Sequence, residues 1–218
     1  MKIALIGATG FVGAPLLQEL LQRSHRVTAL SRAPQNIPAQ PGLLTASADV
    51  LDAAQVANAV RDHDAVISAY NPGWNDADLY RRFLQGSAAI LEGVKRAGVP
   101  RLFVVGGAGS LQVAPGVQLV DTPAFREHVP PNVVPGALAA RDFLTALREE
   151  RELAWTFLSP PAGLQPGERS GRYRLGTDDL LMDGDLPAGI TVCDLAVAIV
   201  DEIESPHHLR QRFTVAAA

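Results

Sequence analysis

Short apolar runs alternate with longer amphipathic stretches along most of this chain. The apolar runs are Ile3 to Ile6, Arg26 to Leu30, Leu43 to Ser47, Ala65 to Ala69, Leu102 to Val105 and Leu153 to Leu158. Runs of this length, rich in Val, Ile and Leu, read as strands buried on both faces. Between them, Ala14 to Arg23, Ala53 to Arg61, Asp76 to Ala97 and Gly136 to Glu150 carry helical spacing. Strand and helix in alternation predict a parallel sheet covered by helices on both sides. Right-handed crossovers then favour the strand order 3-2-1-4-5-6, with a ligand above the point where the order reverses.

The pattern changes after the sixth strand. Ser159 to Gly189 is rich in Pro, Gly and charge and reads as loops, with a short hairpin around Arg172 to Leu175. Thr191-Val192-Cys193-Asp194 is a capping box that opens a helix to about Glu204. Gln211 to Val215 reads as a final strand. The span from Ala114 to Pro135 is long for a connection and suggests a lid or binding loop. The chain is therefore expected to be one domain over 1–218, with 159–192 as a small C-terminal substrate lobe.

The chemistry starts in the first strand. Ile3 to Ile6 runs straight into Gly7-x-x-Gly10-x-x-Gly13 and then into an amphipathic helix. That order is what a dinucleotide site needs. Gly7 permits a tight turn, Gly10 lets backbone approach a pyrophosphate, and Gly13 lets helix pack on sheet. The free N–H groups at the helix start, around Thr9, Phe11 and Val12, then face the phosphates. Without that ligand, the motif is an ordinary strand-to-helix turn. With it, the chain is a Rossmann-like, doubly wound α/β protein.

Composition narrows the class. The 218 residues are 47% hydrophobic and carry a net charge of −4, which suits a large core and offers no basic stripe for nucleic acid. No apolar run is long enough to span a membrane. The single cysteine, Cys193, excludes an intrachain disulfide, and no cleavable leader precedes the first strand, so a cytoplasmic location is expected. The expected partner is a small-molecule acceptor, and the expected state a monomer or homodimer.

Five further segments fall at the strand ends. After the second strand, where NAD enzymes usually carry an acid, the chain has Ser31-Arg32; Arg32 could grip a 2′-phosphate with Ser31 assisting, which favours NADP(H) over NAD(H). The alternative is a solvated loop arginine. After the third strand, Asp49 and Val50 stand where adenine is read, unless Asp49 or Asp52 only caps the next helix. Ala69 and Tyr70 end the fourth strand beside the cofactor ribose. Asn71, Pro72 and Trp74 follow; Tyr70 and Trp74 could stack on a flat substrate or simply cover the sheet edge. After the fifth strand, Gly106 and Gly107 leave room for a nicotinamide ribose, and Ser110 is the candidate catalytic hydroxyl. After the sixth, Pro160 and Pro161 are expected to wall the nicotinamide and the substrate.

The histidines lack metal-ligand spacing, and the acids Asp178, Asp179, Asp183 and Asp185 are too loosely spaced for a Ca²⁺ loop, so no metal is expected. Arg169, Arg172 and Arg174 either face a flavin phosphate or decorate a hairpin.

Taken together, Gly7-x-x-Gly10-x-x-Gly13, Asp49-Val50 and Gly106-Gly107-Ala108-Gly109-Ser110 resemble the extended and atypical short-chain dehydrogenases/reductases. Trp155 to Pro160, Pro166 to Arg169, Gly171 to Gly176, Asp201 to Glu204 and Arg210 to Val215 narrow the likeness to the NADH-flavin reductases related to biliverdin reductase B. The resemblance covers nearly the whole chain. It implies an NAD(P)H-dependent reductase.

One departure matters. Classical members of that superfamily use Tyr-x-x-x-Lys, with Tyr as the acid. Here the lysines are Lys2 and Lys95, and none of Tyr70, Tyr80 and Tyr173 has Lys four residues on. By register, Ala137 replaces the Tyr and Arg141 the Lys. Carbonyl reduction and sugar epimerisation or dehydration need a placed proton donor or acceptor. Hydride transfer to a flavin or a quinone does not, because the arriving charge is spread over rings. The expected activity is therefore reduction of a flavin or similar flat acceptor. The rival is a non-catalytic NADP-binding redox sensor; an epimerase or dehydratase is disfavoured.

Overall fold

Residue alternation along the first strand sorts the core into two layers. Ile3 and Leu5 point to one face of the sheet, Ala4 and Ile6 to the other, and all four are buried. The computed structural model describes residues 1–218.

Along the chain the elements are β1 (Lys2–Ile6), α1 (Gly13–Gln22), β2 (Arg26–Ser31), β3 (Leu43–Ser47), α2 (Ala53–Val60), β4 (Ala65–Ser68), α3 (Leu79–Ala97) and β5 (Arg101–Val105). Then come β6 (Gln112–Ala114), β7 (Val117–Gln118), α4 (Pro123–His128), α5 (Val134–Leu147), β8 (Ala154–Ser159) and β9 (Gly163–Gln165). The chain closes with β10 (Tyr173–Gly176), β11 (Met182–Asp183), β12 (Leu186–Pro187), β13 (Gly189–Thr191), α6 (Val192–Glu204) and β14 (Gln211–Ala217).

The fold is α/β and Rossmann-like. Its main sheet has eight strands in the order β10-β14-β8-β5-β4-β1-β2-β3, with only β10 antiparallel. The predicted order of the first six strands is present, with β8 as the sixth. Helices α1 and α6 cover one face through Leu16, Leu20, Leu195 and Ile199. Helices α2, α3 and α5 cover the other through Val56, Val60, Ile90, Val94, Phe143 and Leu147.

Helix ends follow local chemistry. Asp52 caps α2, its carboxylate accepting from the N–H groups of Ala54 (2.8 Å) and Gln55 (3.2 Å). The Thr191 hydroxyl accepts from Asp194 N–H (3.1 Å) and caps α6 as expected, but the Asp194 carboxylate does not complete the capping box and accepts from Ser170 and Gly171 instead. Gly98, in the left-handed region at φ 71°, ends α3.

Three expectations need correction. The segment Arg172 to Leu175 does not fold back on itself: Tyr173 to Gly176 pairs with Gly176↔Thr214 and Tyr173↔Ala217 and closes the main sheet. The local hairpin is β11–β12 instead. The span Ala114 to Pro135 is not one long loop; it holds the end of a β6–β7 hairpin, a 3-10 turn and α4, which Thr122 caps through Phe125 N–H at 3.1 Å. Helix α3 starts at Leu79, not Asp76, because Asp76 is spent on a turn that accepts Asp78 N–H at 2.9 Å.

Candidate cofactor and acceptor site

The site lies at the carboxyl ends of β1, β2, β4 and β5, where β1 and β4 mark the reversal of strand order. Its first feature is a helix without a cap. No side chain caps α1 and its first turn carries no acid. The backbone N–H groups of Phe11 and Val12 find no acceptor in the protein. Four orphan donors at a helix start are normally satisfied by a cap. Here Gly10 and Phe11 are exposed and leave the donors open to an anion.

The three glycines serve different ends. Gly7 is at φ +83°, and a Cβ there would meet the Ala69 carbonyl oxygen at 2.4 Å. A Cβ on Gly13 would lie 1.9 Å from the Gly7 oxygen. Both are demanded by the fold itself. A Cβ on Gly10 would meet only the Gly7 oxygen, at 3.3 Å, a tight contact but far looser than those at Gly7 and Gly13, so its smallness chiefly keeps space open above the helix.

Beside this turn is a cleft lined by Gly7, Ala8 and Thr9, by Ser31 and Arg32, by Asp49 and Val50, and by Tyr70, Asn71 and Arg82. Thr9, Arg32, Asp49, Val50 and Tyr70, predicted separately, are brought together here. Arg32 has no hydrogen-bond or ion-pair partner in the protein, while Ser31 Oγ accepts from Ala33 N–H (3.1 Å) and shapes the turn that presents it. Asp49 is not a helix cap: Oδ1 accepts from Leu51 N–H (3.0 Å), and Oδ2 is free. The Val50 N–H also has no acceptor. A carboxylate oxygen beside a free N–H matches the donor and acceptor on the amino edge of adenine.

Tyr70 lines the cleft but is already engaged within the protein. Its ring covers Gly86, where a Cβ would meet it at 2.4 Å, and its hydroxyl donates to the Arg82 carbonyl at 3.0 Å. Burial raises its pKa, partly opposed by Arg82. Trp74, about half exposed, lies against Gly136 at the start of α5, and Asn132 donates to its carbonyl (3.1 Å). Asn71 spends its carbonyl oxygen on Gly73 N–H (2.7 Å).

At the far end, Gly106 is small because the Phe157 ring lies 2.0 Å from where its Cβ would be, whereas Gly107 faces more open space. Ser110 is buried, 2% exposed, and its hydroxyl faces that of Ser159 at 3.5 Å. Pro160 and Pro161 are likewise buried.

Helix α5 brings Ala137 against the turn at Gly109, whose Cβ would meet it at 3.3 Å. Arg141 is engaged by Asp142 (2.9 Å) and Asp121 (3.0 Å). No tyrosine compensates from elsewhere. Tyr80 donates to Asp142 (2.7 Å) and Tyr173 to Asp201 (2.6 Å). Hydrogen bonding to Asp142 raises the Tyr80 pKa, and burial followed by Asp201 raises that of Tyr173. All three phenols thus already donate to an acceptor within the protein.

Of the arginines left open by the sequence, Arg169 binds buried Glu19 through Nε (2.7 Å) and Nη2 (3.0 Å), and Arg174 binds Asp183 (2.6 Å). The first pins the loop after β9 onto α1; Ser170 and Gly171 pin the same loop to Asp194 of α6. Asp178 is held by Arg148 and Arg212. Sequence reasoning missed Arg82, whose place in the cleft depends on how α3 lies against β4. No helix is long and apolar enough to cross a membrane.

Residues 7–206 match the family described as NAD(P)H-binding. The chain is 35% identical over 218 residues to the uncharacterized protein YwnB of Bacillus subtilis (strain 168), covering 99% of this chain and 98% of that one. Among solved structures it is 44% identical, with a TM-score of 0.90, to a protein of Bacteroides thetaiotaomicron provisionally assigned as an epimerase, covering 99% and 96% of the two chains. It is 30% identical, with a TM-score of 0.83 and full coverage of both chains (100% each), to a protein of Streptococcus pneumoniae TIGR4 provisionally assigned as an NADH-flavin reductase. The chain belongs to the NAD(P)H-binding family and shares its fold with short-chain dehydrogenases/reductases.

Proposed function

We propose that the protein is an NADPH-dependent reductase that passes hydride to a flavin or a similarly flat acceptor, such as a quinone. The observation that carries this reading is that no tyrosine is free to give a proton. Ala137 occupies the position against the Gly109 turn, and Tyr70, Tyr80 and Tyr173 each donate elsewhere. An alkoxide forming on a simple ketone would find no free phenol, while a ring system can spread the same charge.

NADPH, when bound, supplies the hydride. Phe11 and Val12 N–H would hold its pyrophosphate, Asp49 and Val50 its adenine, and Arg32 its 2′-phosphate. Gly107 leaves space for the nicotinamide end, whereas the space beside Gly106 is filled by the Phe157 ring. Asn71 and Trp74 border the acceptor side, and the residues around them orient the rings and exclude water.

The test is NADPH oxidation in the presence of FMN, FAD, riboflavin and quinones, beside aldehydes and ketones. Turnover restricted to the flat acceptors supports the proposal. Tight NADPH binding without turnover of any acceptor supports a redox sensor instead, a reading that the same lack of a free tyrosine favours.

A further inference from the structure

Two arginines line the cleft, and only one of them follows β2. Arg32 comes from the turn after β2, and Arg82 from the first turn of α3. Arg82 is partly buried and its guanidinium has one partner, Asp76, bound through Nη1 at 3.0 Å. Its Nε and Nη2 groups have none. Asp76 is fixed in turn by Asp78 N–H, so Arg82 is aimed rather than free to sweep through solvent. The backbone carbonyl of the same residue accepts the Tyr70 hydroxyl, which ties the base of the side chain to the end of β4.

We propose that Arg82 is the second cation for the 2′-phosphate of NADP(H), closing on it from α3 while Arg32 holds it from β2. This rests on the NADPH reading above. A 2′-phosphate carries up to two negative charges and three acceptor oxygens, more than one loop arginine can satisfy. Arg32 and Arg82 line the same cleft and would supply two forks of donors to it. Of the acids nearby, Asp76 is paired with Arg82, while Asp49 keeps one oxygen free, which the adenine amino group would take.

The test uses fragments that lack the nicotinamide, so activity does not enter. Calorimetry of the whole protein with 2′,5′-ADP and with 5′-AMP compares wild type, Arg82→Gln and Arg32→Gln. Arg82→Gln keeps the backbone carbonyl that Tyr70 needs, and unfolding scans check that it folds. The expected result is that Arg82→Gln weakens 2′,5′-ADP by about tenfold or more, the scale of a lost charge-assisted bond, and leaves 5′-AMP within about twofold. Unchanged 2′,5′-ADP binding overturns the assignment. So does equal weakening of both ligands, which would place Arg82 on the adenine or in the structure. If Arg32→Gln loses the discrimination and Arg82→Gln does not, the NADPH reading stands and the role of Arg82 falls. If wild type binds 5′-AMP as tightly as 2′,5′-ADP, the NADPH reading itself fails.

Discussion

The carbonyl oxygen of Gly7 occupies the space beside Gly13 so fully that a Cβ on Gly13 would lie 1.9 Å from it. Strand β1 and helix α1 meet backbone to backbone at this point, while Gly10, between them, is open above. The glycines therefore separate by experiment. Gly13→Ala is expected to lower stability by about 3 kcal/mol or more through forced movement of α1. Gly10→Val is expected to melt near wild type and lose NADP(H) affinity by orders of magnitude. Unfolding scans and calorimetry on both variants check the pair; a folded Gly10→Val protein with unchanged affinity contradicts it.

Arg32 has no protein partner and stands in the cleft. Charge-assisted hydrogen bonds contribute about 1.5–3 kcal/mol. Arg32→Ala should therefore narrow the preference for NADPH over NADH by roughly one to two decades. Equal affinity of the wild type for both cofactors would remove the basis of this expectation.

Ser110 faces Ser159 inside the protein rather than the open cleft. Hydride transfer to a ring acceptor then leaves it no indispensable proton to give. Ser110→Ala should cost under about tenfold in flavin turnover, or ~1.4 kcal/mol of barrier. Gly107→Val, which fills space at the nicotinamide end, should cost far more. Steady-state rates with FMN and with simple ketones decide the matter. A loss of several decades in Ser110→Ala, or efficient ketone reduction by the wild type, would show an essential proton donor.

Glu150, at the turn between α5 and β8, accepts from Lys95 Nζ (2.9 Å) and from the N–H groups of Glu152 (2.6 Å) and Leu153 (3.1 Å). Chiefly through Lys95, these hold its carboxyl down to about 2. A folded value below the unfolded one means stability that is complete above the unfolded pKa, near ~4.3, and is lost as pH falls through the folded value. Stability should therefore decline between about pH 4.5 and 2, and Glu150→Gln should flatten that decline. Urea midpoints over this range are the measurement; parallel curves for the two proteins would contradict the assignment.

Much of the molecule is decided by local sequence. A run such as Ile3 to Ile6 is buried in whichever parallel sheet it enters, and its order of joining is narrowed by the handedness of crossovers. The turn at Gly7 to Gly13 and the Thr191 cap are equally legible, because each depends on residues within one turn of chain. What tertiary structure alone decided rests on residues far apart in sequence. Tyr173 to Gly176 has few apolar positions and no turn of its own; it becomes a strand because Gln211 to Ala217 offers an unpaired edge. Arg169 finds Glu19 across 150 positions, which turns a candidate phosphate ligand into a loop anchor. Ser110 looks available beside its glycines, yet the end of β8 brings Ser159 against it. Arg82 carries no signature in the sequence. It enters the cleft because Tyr70 lies on Gly86 and draws the first turn of α3 to the end of β4, a contact that side-chain packing creates and no local pattern records.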